Sequence, residues 1–313
     1  MLDLAVVIVT WNNADIIGNA LQSLIDDLQT TTLIHQIWVV DSASSDNTVG
    51  LIRTKFPNVK LIASDENIGF SRANNLALRE MGFEGDIPTI ELPRVVYLLN
   101  PDTITHEGAT QTLFDTLIHD EHVGGVGARL TYEDGSFQHS AFMFPGLSQI
   151  WTEFFPVPGR FIEGAFNGRY EKAQYQSDEP FLVDFTLGAT MMLKREVVVK
   201  TGLFDEDFLI YCEEVDWAWR IHKAGWTIMC VPQAHVTHLA GQSTSQVRAW
   251  STLNLWKSRL HLYDKHYPTW KRWLARRLVM IGMRRKMSQL DPKSVNYADV
   301  LSAYQTICDM AKA

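Results

Sequence analysis

The stretch Val95–Thr103, VVYLLNPDT, holds five consecutive apolar residues and then breaks off in Asn100-Pro101-Asp102. A short unbroken apolar run reads as a strand buried on both faces, as in parallel sheets covered by helices. Pro101 has no N–H for a ladder and a restricted φ, so the strand ends there. It ends by presenting one amide and one carboxylate at its carboxyl tip. Three similar runs precede it, namely Leu4–Thr10 (LAVVIVT), Gln36–Val40 (QIWVV) and Val59–Ala63 (VKLIA). Between the runs, Ala14–Leu28, Ser45–Phe56 and Ser71–Met81 carry helical apolar spacing, with Asp41 and Ser44 offering capping oxygens before the second helix. Strands alternating with helices predict an α/β fold with a mostly parallel sheet and right-handed crossovers. Ligands bind such sheets beyond the carboxyl ends of the strands. Thr10-Trp11-Asn12, Asp41-Ser42 and Asn100-Pro101-Asp102 are therefore expected along one edge.

Composition narrows the classes. With 313 residues and 46% hydrophobic content, the chain has enough apolar mass for one large core and a smaller appendage. The formal charge of −8 does not point to nucleic acid. That average hides a segregation, because Arg248–Lys286 holds eleven of the 28 Lys/Arg and one of the 36 Asp/Glu. A local anionic partner is implied, with a membrane surface the leading candidate. Cys212, Cys230 and Cys308 are odd in number and widely spaced, which argues against a disulfide framework or a zinc ribbon and fits a reducing compartment. The start MLDLAVVIVTWNN has no basic leader or cleavage site and reads as a first strand, and no apolar run is long enough to span a bilayer. A cytoplasmic location is expected.

Beyond residue 120 the pattern changes. VGGVGARLTYEDGSFQHSAF (Val123–Phe142) reads as two strands around a turn at Glu133–Ser136. Phe144–Pro180 is rich in Pro, Gly and aromatics without periodicity and reads as a long loop. FLVDFTLGATMMLKR reads as strand, turn at Gly188 and strand; Glu213–Ala224 reads as a helix stopped by Gly225. From Gln246 onward the pattern is helical with a break at Pro268, suggesting domains at 1–245 and 246–313.

Several constellations could carry chemistry, each with a plainer alternative. Asp41 in VVDSASSDNT (Val39–Thr48) could hold a ribose or base, or merely cap a helix. In DENIGFSRANNLAL (Asp65–Leu78), Gly69 permits close backbone approach to a ligand, and Arg72, Asn74 and Asn75 enter a helix whose N–H groups favour anions. The alternative is a capped amphipathic helix with a solvated Arg, although two asparagines in an early turn are unfavourable without a purpose. Asp102 could merely cap a helix starting in Thr103–Glu107, or serve as the one protein carboxylate of a divalent cation whose other ligands are phosphate and water. In FLIYCEEVDWAWRIHKAG (Phe208–Gly225), Glu213, Asp216 and Arg220 share a helical face and Glu214 lies about 100° away. A surface helix of ion pairs is the plain reading; among this apolar bulk, a carboxylate with raised pKa could serve as general base. AHVTHLAGQST (Ala234–Thr244) adds His235 and His238 after a strand, TIMCVP.

The order of IVTWNN, VVDSASSDNT, ENIGFSRANN, LLNPDT, GATMMLKREVV, GLFDEDFLIYCEEVDWAWR and HLAGQS resembles the inverting glycosyltransferases of family 2, which have a GT-A nucleotide-diphospho-sugar fold, and most resembles their rhamnosyltransferase-like subgroup. The resemblance spans roughly residues 4–245. It implies that Thr10, Asn12 and Asp41 hold the nucleoside and that Asn67, Gly69 and Arg72 form the next donor-binding segment. Asn100-Pro101-Asp102 matches the family's metal motif, with Asp102 as the carboxylate and His238 completing a site for Mn2+ or Mg2+. Gly188 and Ala189 match the lining of the sugar and acceptor pocket. Glu213–Asp216 matches an acidic motif usually written Glu-Asp-x-Asp, whose second acid is the base. Here that acid is Glu214, one methylene longer, so Glu214 and Asp216 both stand as catalytic candidates.

The implied activity is transfer from a dTDP- or UDP-sugar to a hydroxyl of a glycan or lipid-linked acceptor in surface polysaccharide synthesis. A sugar nucleotidyltransferase would want a Gly-rich basic loop after the first strand, which TWNNAD lacks. A non-catalytic nucleotide-sugar-binding protein would not need acids at Asp102, Glu214 and Asp216. TWKRWLARRLVMIGMRRK (Thr269–Lys286) mixes tryptophans and aliphatics with seven Lys/Arg, and reads either as a packed basic helix or as an interfacial helix on anionic lipid, making the enzyme peripheral at the inner face of a membrane.

Overall fold

The four apolar runs form four adjacent strands of one sheet. In the computed structural model, which describes residues 1–239 and 248–312, β1 (Leu4–Thr10), β2 (His35–Ser42), β3 (Lys60–Ser64) and β4 (Val95–Leu99) alternate with α1 (Ile17–Gln29), α2 (Thr48–Lys55) and α3 (Phe70–Glu80). β3, β2, β1 and β4 pair in parallel, and the register sets Thr10 beside Asp41 and Ile8 beside Leu99. Helices cover both faces, α3 on one and α1 and α2 on the other, so the strands bury side chains on both sides and alternation is absent.

The second half turns the parallel sheet into a mixed one. It contains β5 (Thr103–Thr105), α4 (Ala109–His119), β6 (Val123–Thr131), β7 (Phe137–Gln138), β8 (Ala141–Phe142), α5 (Leu147–Phe154), α6 (Lys172–Tyr175), β9 (Phe181–Val183), β10 (Phe185–Thr186), β11 (Thr190–Lys194), α7 (Arg195–Thr201), α8 (Glu213–Lys223) and β12 (Thr227–His238). The main sheet runs β3-β2-β1-β4-β11-β6-β12-β5, with β11 antiparallel to β4. This is the mixed sheet flanked by helices that the GT-A resemblance implies. The turn expected at Glu133–Ser136 joins β6 to β7, closed by a Tyr132 N–H bond to the Ser136 carbonyl.

Three expectations are corrected. Asp41 and Ser44 do not cap α2; the Thr48 N–H instead bonds to the Asp46 carboxylate, because Asp41 closes its own turn onto Ser44. Phe144–Pro180 is not a bare loop but contains α5 and α6, and α5 buries Ile150 and Phe154. β12 continues through His235 to His238, so AHVTH belongs to the strand rather than following it. Ala240–Ser243 of HLAGQS and the boundary at 245 lie outside the described residues.

The C-terminal helices are α9 (Arg248–His266), α10 (Thr269–Ser288) and α11 (Tyr297–Met310), with Pro268 as the N-cap of α10. Two apolar clusters occupy the main body, one containing Val7, Val40 and Trp217, the other Ile8, Val39 and Leu113. A third joins Ile150 and Phe154 of α5 to Trp256, Val279, Met283 and Ile307. Gly282 lets α10 approach closely here, since a Cβ at that position would fall 2.1 Å from the Phe154 ring. The helical appendage is thus seated on α5 of the preceding segment.

Candidate active site

The polar strand tips open into a cleft of about 640 Å³. Thr10, Asn67, Gly69, Asn100, Asp102, Gly188, Ala189, Glu214 and His238 all line it, although they come from distant parts of the sequence. The sheet register makes this happen. The Asn100 N–H bonds to the Ala189 carbonyl, extending the β4–β11 pairing past Leu99 and setting Gly188-Ala189 beside Asn100-Pro101-Asp102. On the other side β12 pairs with β5 so that His238 stands opposite Thr103, one residue from Asp102.

Asp102 and His238 meet directly, with Oδ1 and Nε2 3.4 Å apart and both residues buried. His238 Nδ1 lies 3.2 Å from Gln138 Oε1. If Nδ1 donates its proton there, the Nε2 lone pair faces the Asp102 carboxylate, the tautomer a metal-ligating imidazole requires. Divalent ions sit about 2.0–2.2 Å from such nitrogen and oxygen ligands, so the observed separation fits a cation bound between the two. Among the described residues, no Lys or Arg lines the cleft. A diphosphate there would find few other positive charges. A second group, Asp205, Asp207 and His261, has ligand atoms within 4.8 Å of one another. Lys265 Nζ already sits 2.6 Å from Asp205, and none of the three lines the cleft.

The acidic pair arrives through a strained turn. Tyr211 and Cys212 have φ of 69° and 65°, a left-handed pair that costs about 1–2 kcal/mol per residue. Neighbouring elements hold the turn in place. Ser71 Oγ donates to the Phe208 carbonyl, the Phe70 N–H to Leu209 and Ser258 Oγ of α9 to Ile210. The chain then enters α8 with Glu213 and Glu214 facing the cleft. Glu213 is buried; Glu214 keeps part of its surface open, but Oε2 of each is closed to water and lacks a hydrogen-bond partner. Burial pushes the Glu214 carboxyl up to about 7, against the pull of the Glu214 and Val215 N–H groups. Burial likewise raises Glu213 well above the ordinary glutamate value, helped by the neighbouring Glu214 charge.

Asp216 takes the opposite course. It is fully buried, yet its carboxylate accepts from His266 and Arg220 and pairs with Lys265 at 2.8 Å. Burial alone would raise its pKa; the His266 and Lys265 bonds, with the Arg220 charge, instead hold it far below the ordinary carboxylate range. It does not line the cleft.

Residues 5–200 match the family model described as Glycosyl transferase family 2. The chain belongs to this family. The family 2 chain is 28% identical over 251 residues to N-acetylglucosaminyl-diphospho-decaprenol L-rhamnosyltransferase of Mycobacterium tuberculosis, covering 77% of this chain and 79% of that one. It is 31% identical over 102 residues to rhamnosyltransferase WbbL of Escherichia coli strain K12, covering 33% and 35% of the two chains. Its fold is similar to that of GalNAc-T7 with UDP, GalNAc and Mn2+, with a TM-score of 0.61 and 15% identity over 98% of this chain, which spans 54% of that larger one. It also resembles the mannosyltransferase PcManGT from Pyrobaculum calidifontis in complex with GDP-Man and Mn2+, with a TM-score of 0.55, 16% identity and coverage of 99% and 84%.

Four of the residues to which the family resemblance gives a role stand away from the cleft lining. Besides Asp216, Asn12 turns its Oδ1 to the Ser45 N–H, and Asp41 accepts from the Ser44 N–H and Oγ. Arg72 is exposed and lies 3.6 Å from Glu206. Asn74 and Asn75 also serve structure, Asn74 bonding Phe70 and Asn75 bonding Phe204 and Glu206. Conversely, Trp11, Tyr211 and Glu213 line the cleft, as do Trp250 and Ser251 of α9. Nothing in the periodicity of α9 marks Trp250 for this, since its position depends on how the appendage docks.

Proposed function

We propose that the protein is an inverting glycosyltransferase that moves a sugar, with rhamnose from dTDP-rhamnose the leading candidate, onto a hydroxyl of a lipid-linked glycan acceptor at the cytoplasmic face of a membrane. One observation carries this reading: Glu214, with its raised pKa and unpartnered Oε2, shares a cleft with the Asp102–His238 pair. The Mycobacterium tuberculosis relative, an N-acetylglucosaminyl-diphospho-decaprenol L-rhamnosyltransferase, supports the donor and acceptor classes.

The residues divide the work. The edge built by Thr10, Asn67 and Gly69 receives the nucleoside end of the donor, and Asn100 and Asp102 face its diphosphate. Asp102 and His238 would hold a Mn2+ or Mg2+ ion, which when bound neutralises charge on the departing diphosphate. Glu214, beside Gly188, takes the proton from the acceptor hydroxyl as it attacks the anomeric carbon from the side opposite the diphosphate. A carboxylate with pKa near 7 is ionised in half the molecules at neutral pH and is a stronger base than an ordinary glutamate. Burial and the Glu214 charge bias Glu213 toward its neutral form, which lessens its repulsion of the Glu214 carboxylate. Asp216 positions α8 rather than touching substrate.

A transfer assay with dTDP-rhamnose and a short-chain lipid-diphospho-N-acetylglucosamine tests the assignment. Glu214→Gln should abolish product while retaining nucleotide binding, and undiminished product would reject Glu214 as base.

A further inference from the structure

α10 has two apolar stripes where a packed surface helix needs one. Its inner stripe, Ala275, Val279, Gly282 and Met283, is buried against α5, α9 and α11. At 100° per residue, Trp270, Trp273, Leu274, Arg277, Ile281 and Arg284 recur at three- and four-residue steps on the opposite side. That outer stripe is open to solvent, with Trp270 61%, Trp273 56% and Ile281 52% exposed. Two adjacent exposed tryptophans with two aliphatics are unfavourable in water and mark a contact surface.

The charges on the helix separate in the same way. Of its basic groups, Arg276 pairs with Asp264, Lys286 with Glu153, and Arg272 bonds the Asp264 carbonyl and Thr269. Arg277, Arg284 and Arg285 have no carboxylate partner among the described residues, and Arg277 lies over the Trp273 ring at 5.4 Å. α10 carries seven Lys/Arg and no acid, in a chain whose formal charge is −8. The unpaired positive charge therefore accompanies the exposed apolar stripe. Among the described residues, no helix is long and apolar enough to cross a membrane.

We propose that the outer stripe of α10 docks this protein on an anionic bilayer, with Trp270, Trp273, Leu274 and Ile281 entering the interface and Arg277, Arg284 and Arg285 meeting lipid phosphates. Tryptophan rings suit the headgroup level, and arginine can bury its stem while its charge remains in the polar layer. A lipid-linked acceptor gives such docking a purpose, but the surface rests on its own geometry and needs no donor to be tested.

The test is co-sedimentation of the full chain, without nucleotide, on vesicles of phosphatidylcholine alone or mixed with phosphatidylglycerol. Binding should require phosphatidylglycerol and weaken with salt. Trp270→Ala/Trp273→Ala should lower the partition coefficient by about tenfold or more. Arg277→Glu/Arg284→Glu should remove the preference for anionic vesicles, while Ile34→Ser, an exposed residue before β2, should change nothing. Calorimetric binding of dTDP with Mn2+ and the thermal midpoint should match wild type in every variant, since these side chains lie outside the core. Failure to bind, equal binding to neutral vesicles, or undiminished binding by the stripe variants would overturn the proposal. So would a concentration-dependent dimer that the tryptophan variant dissolves, which would assign the face to a second copy. Loss of vesicle binding with intact transfer to a soluble acceptor would leave the glycosyltransferase reading untouched.

Discussion

Asp216 on α8 accepts a hydrogen bond of 2.7 Å from His266 Nε2, tying the helix that carries Glu214 to the last turn of α9. Lys265 and Arg220 complete the grip on the same carboxylate. Asp216→Asn should destabilise the fold by about 3 kcal/mol at neutral pH, the scale for breaking one side of a buried ion pair. The depressed pKa sets the pH dependence. The contribution is complete above the ordinary aspartate value of 3.8 and is lost as pH falls below it. Denaturant curves of wild type and variant at pH 7 and pH 3 check this; a gap that does not narrow at pH 3 contradicts it. Turnover should fall more than donor affinity, because β1, β2 and β4 build the donor edge without Asp216.

As the proposed base, Glu214 should set the pH dependence of the reaction. With its pKa raised to about 7, kcat/KM should increase with pH through that value and then level as the carboxylate ionises. Glu214→Gln should lower kcat by about 10²–10⁴-fold, the span of general-base catalysis. A pH–rate profile with its acid limb near 4.5 would show that the base is an ordinary exposed carboxylate instead.

Burial raises the pKa of Glu213, so its burial opposes folding increasingly once solution pH exceeds its ordinary value of 4.5. Glu213→Gln should raise the thermal midpoint at pH 8 and leave it nearly unchanged at pH 4. Scanning calorimetry at the two pH values measures the difference.

Asp102 and His238 should act together in cation-dependent binding. Asp102→Asn and His238→Ala should each weaken calorimetric binding of dTDP in Mn2+ by about tenfold or more, and the double variant by little beyond either alone. With EDTA present, the variants and wild type should converge. Full additivity in the double variant would mean that the two residues hold different groups.

Gly69 has φ of +80°, and a Cβ there would lie 2.6 Å from Leu209 Cδ1 and 3.0 Å from its carbonyl oxygen. Gly69→Ala should cost about 1–2 kcal/mol in strain and disturb the Phe70–Leu209 bond that holds the turn before Glu213. A lowered thermal midpoint with reduced turnover is expected. Normal activity would show that the turn is held by its other bonds.

The sequence determined the first four strands of the sheet, their shared direction and the polar residues at their tips. Each of these follows from local signals: Leu4–Thr10 and Val95–Leu99 are unbroken apolar runs, and Pro101 withholds a ladder donor just past the end of the second. Because parallel strands share a direction, Thr10 and Asn100 reach the same edge without knowledge of the packing. Asp102 and His238 were legible as partners only through the motif order that the chain shares with family 2. Only the tertiary structure gives the two acids of α8 different surroundings. Glu214 and Asp216 are both carboxylic acids, two residues apart, but α9 brings Lys265 and His266 onto Asp216, while Glu214 lines the cleft. Arg72 is likewise set 3.6 Å from Glu206 only by the fold, whereas Asp41 meets Ser44 within its own turn. A carboxylate's role depends on which charges pack against it, and contacts some fifty residues away in sequence leave no period or spacing to read.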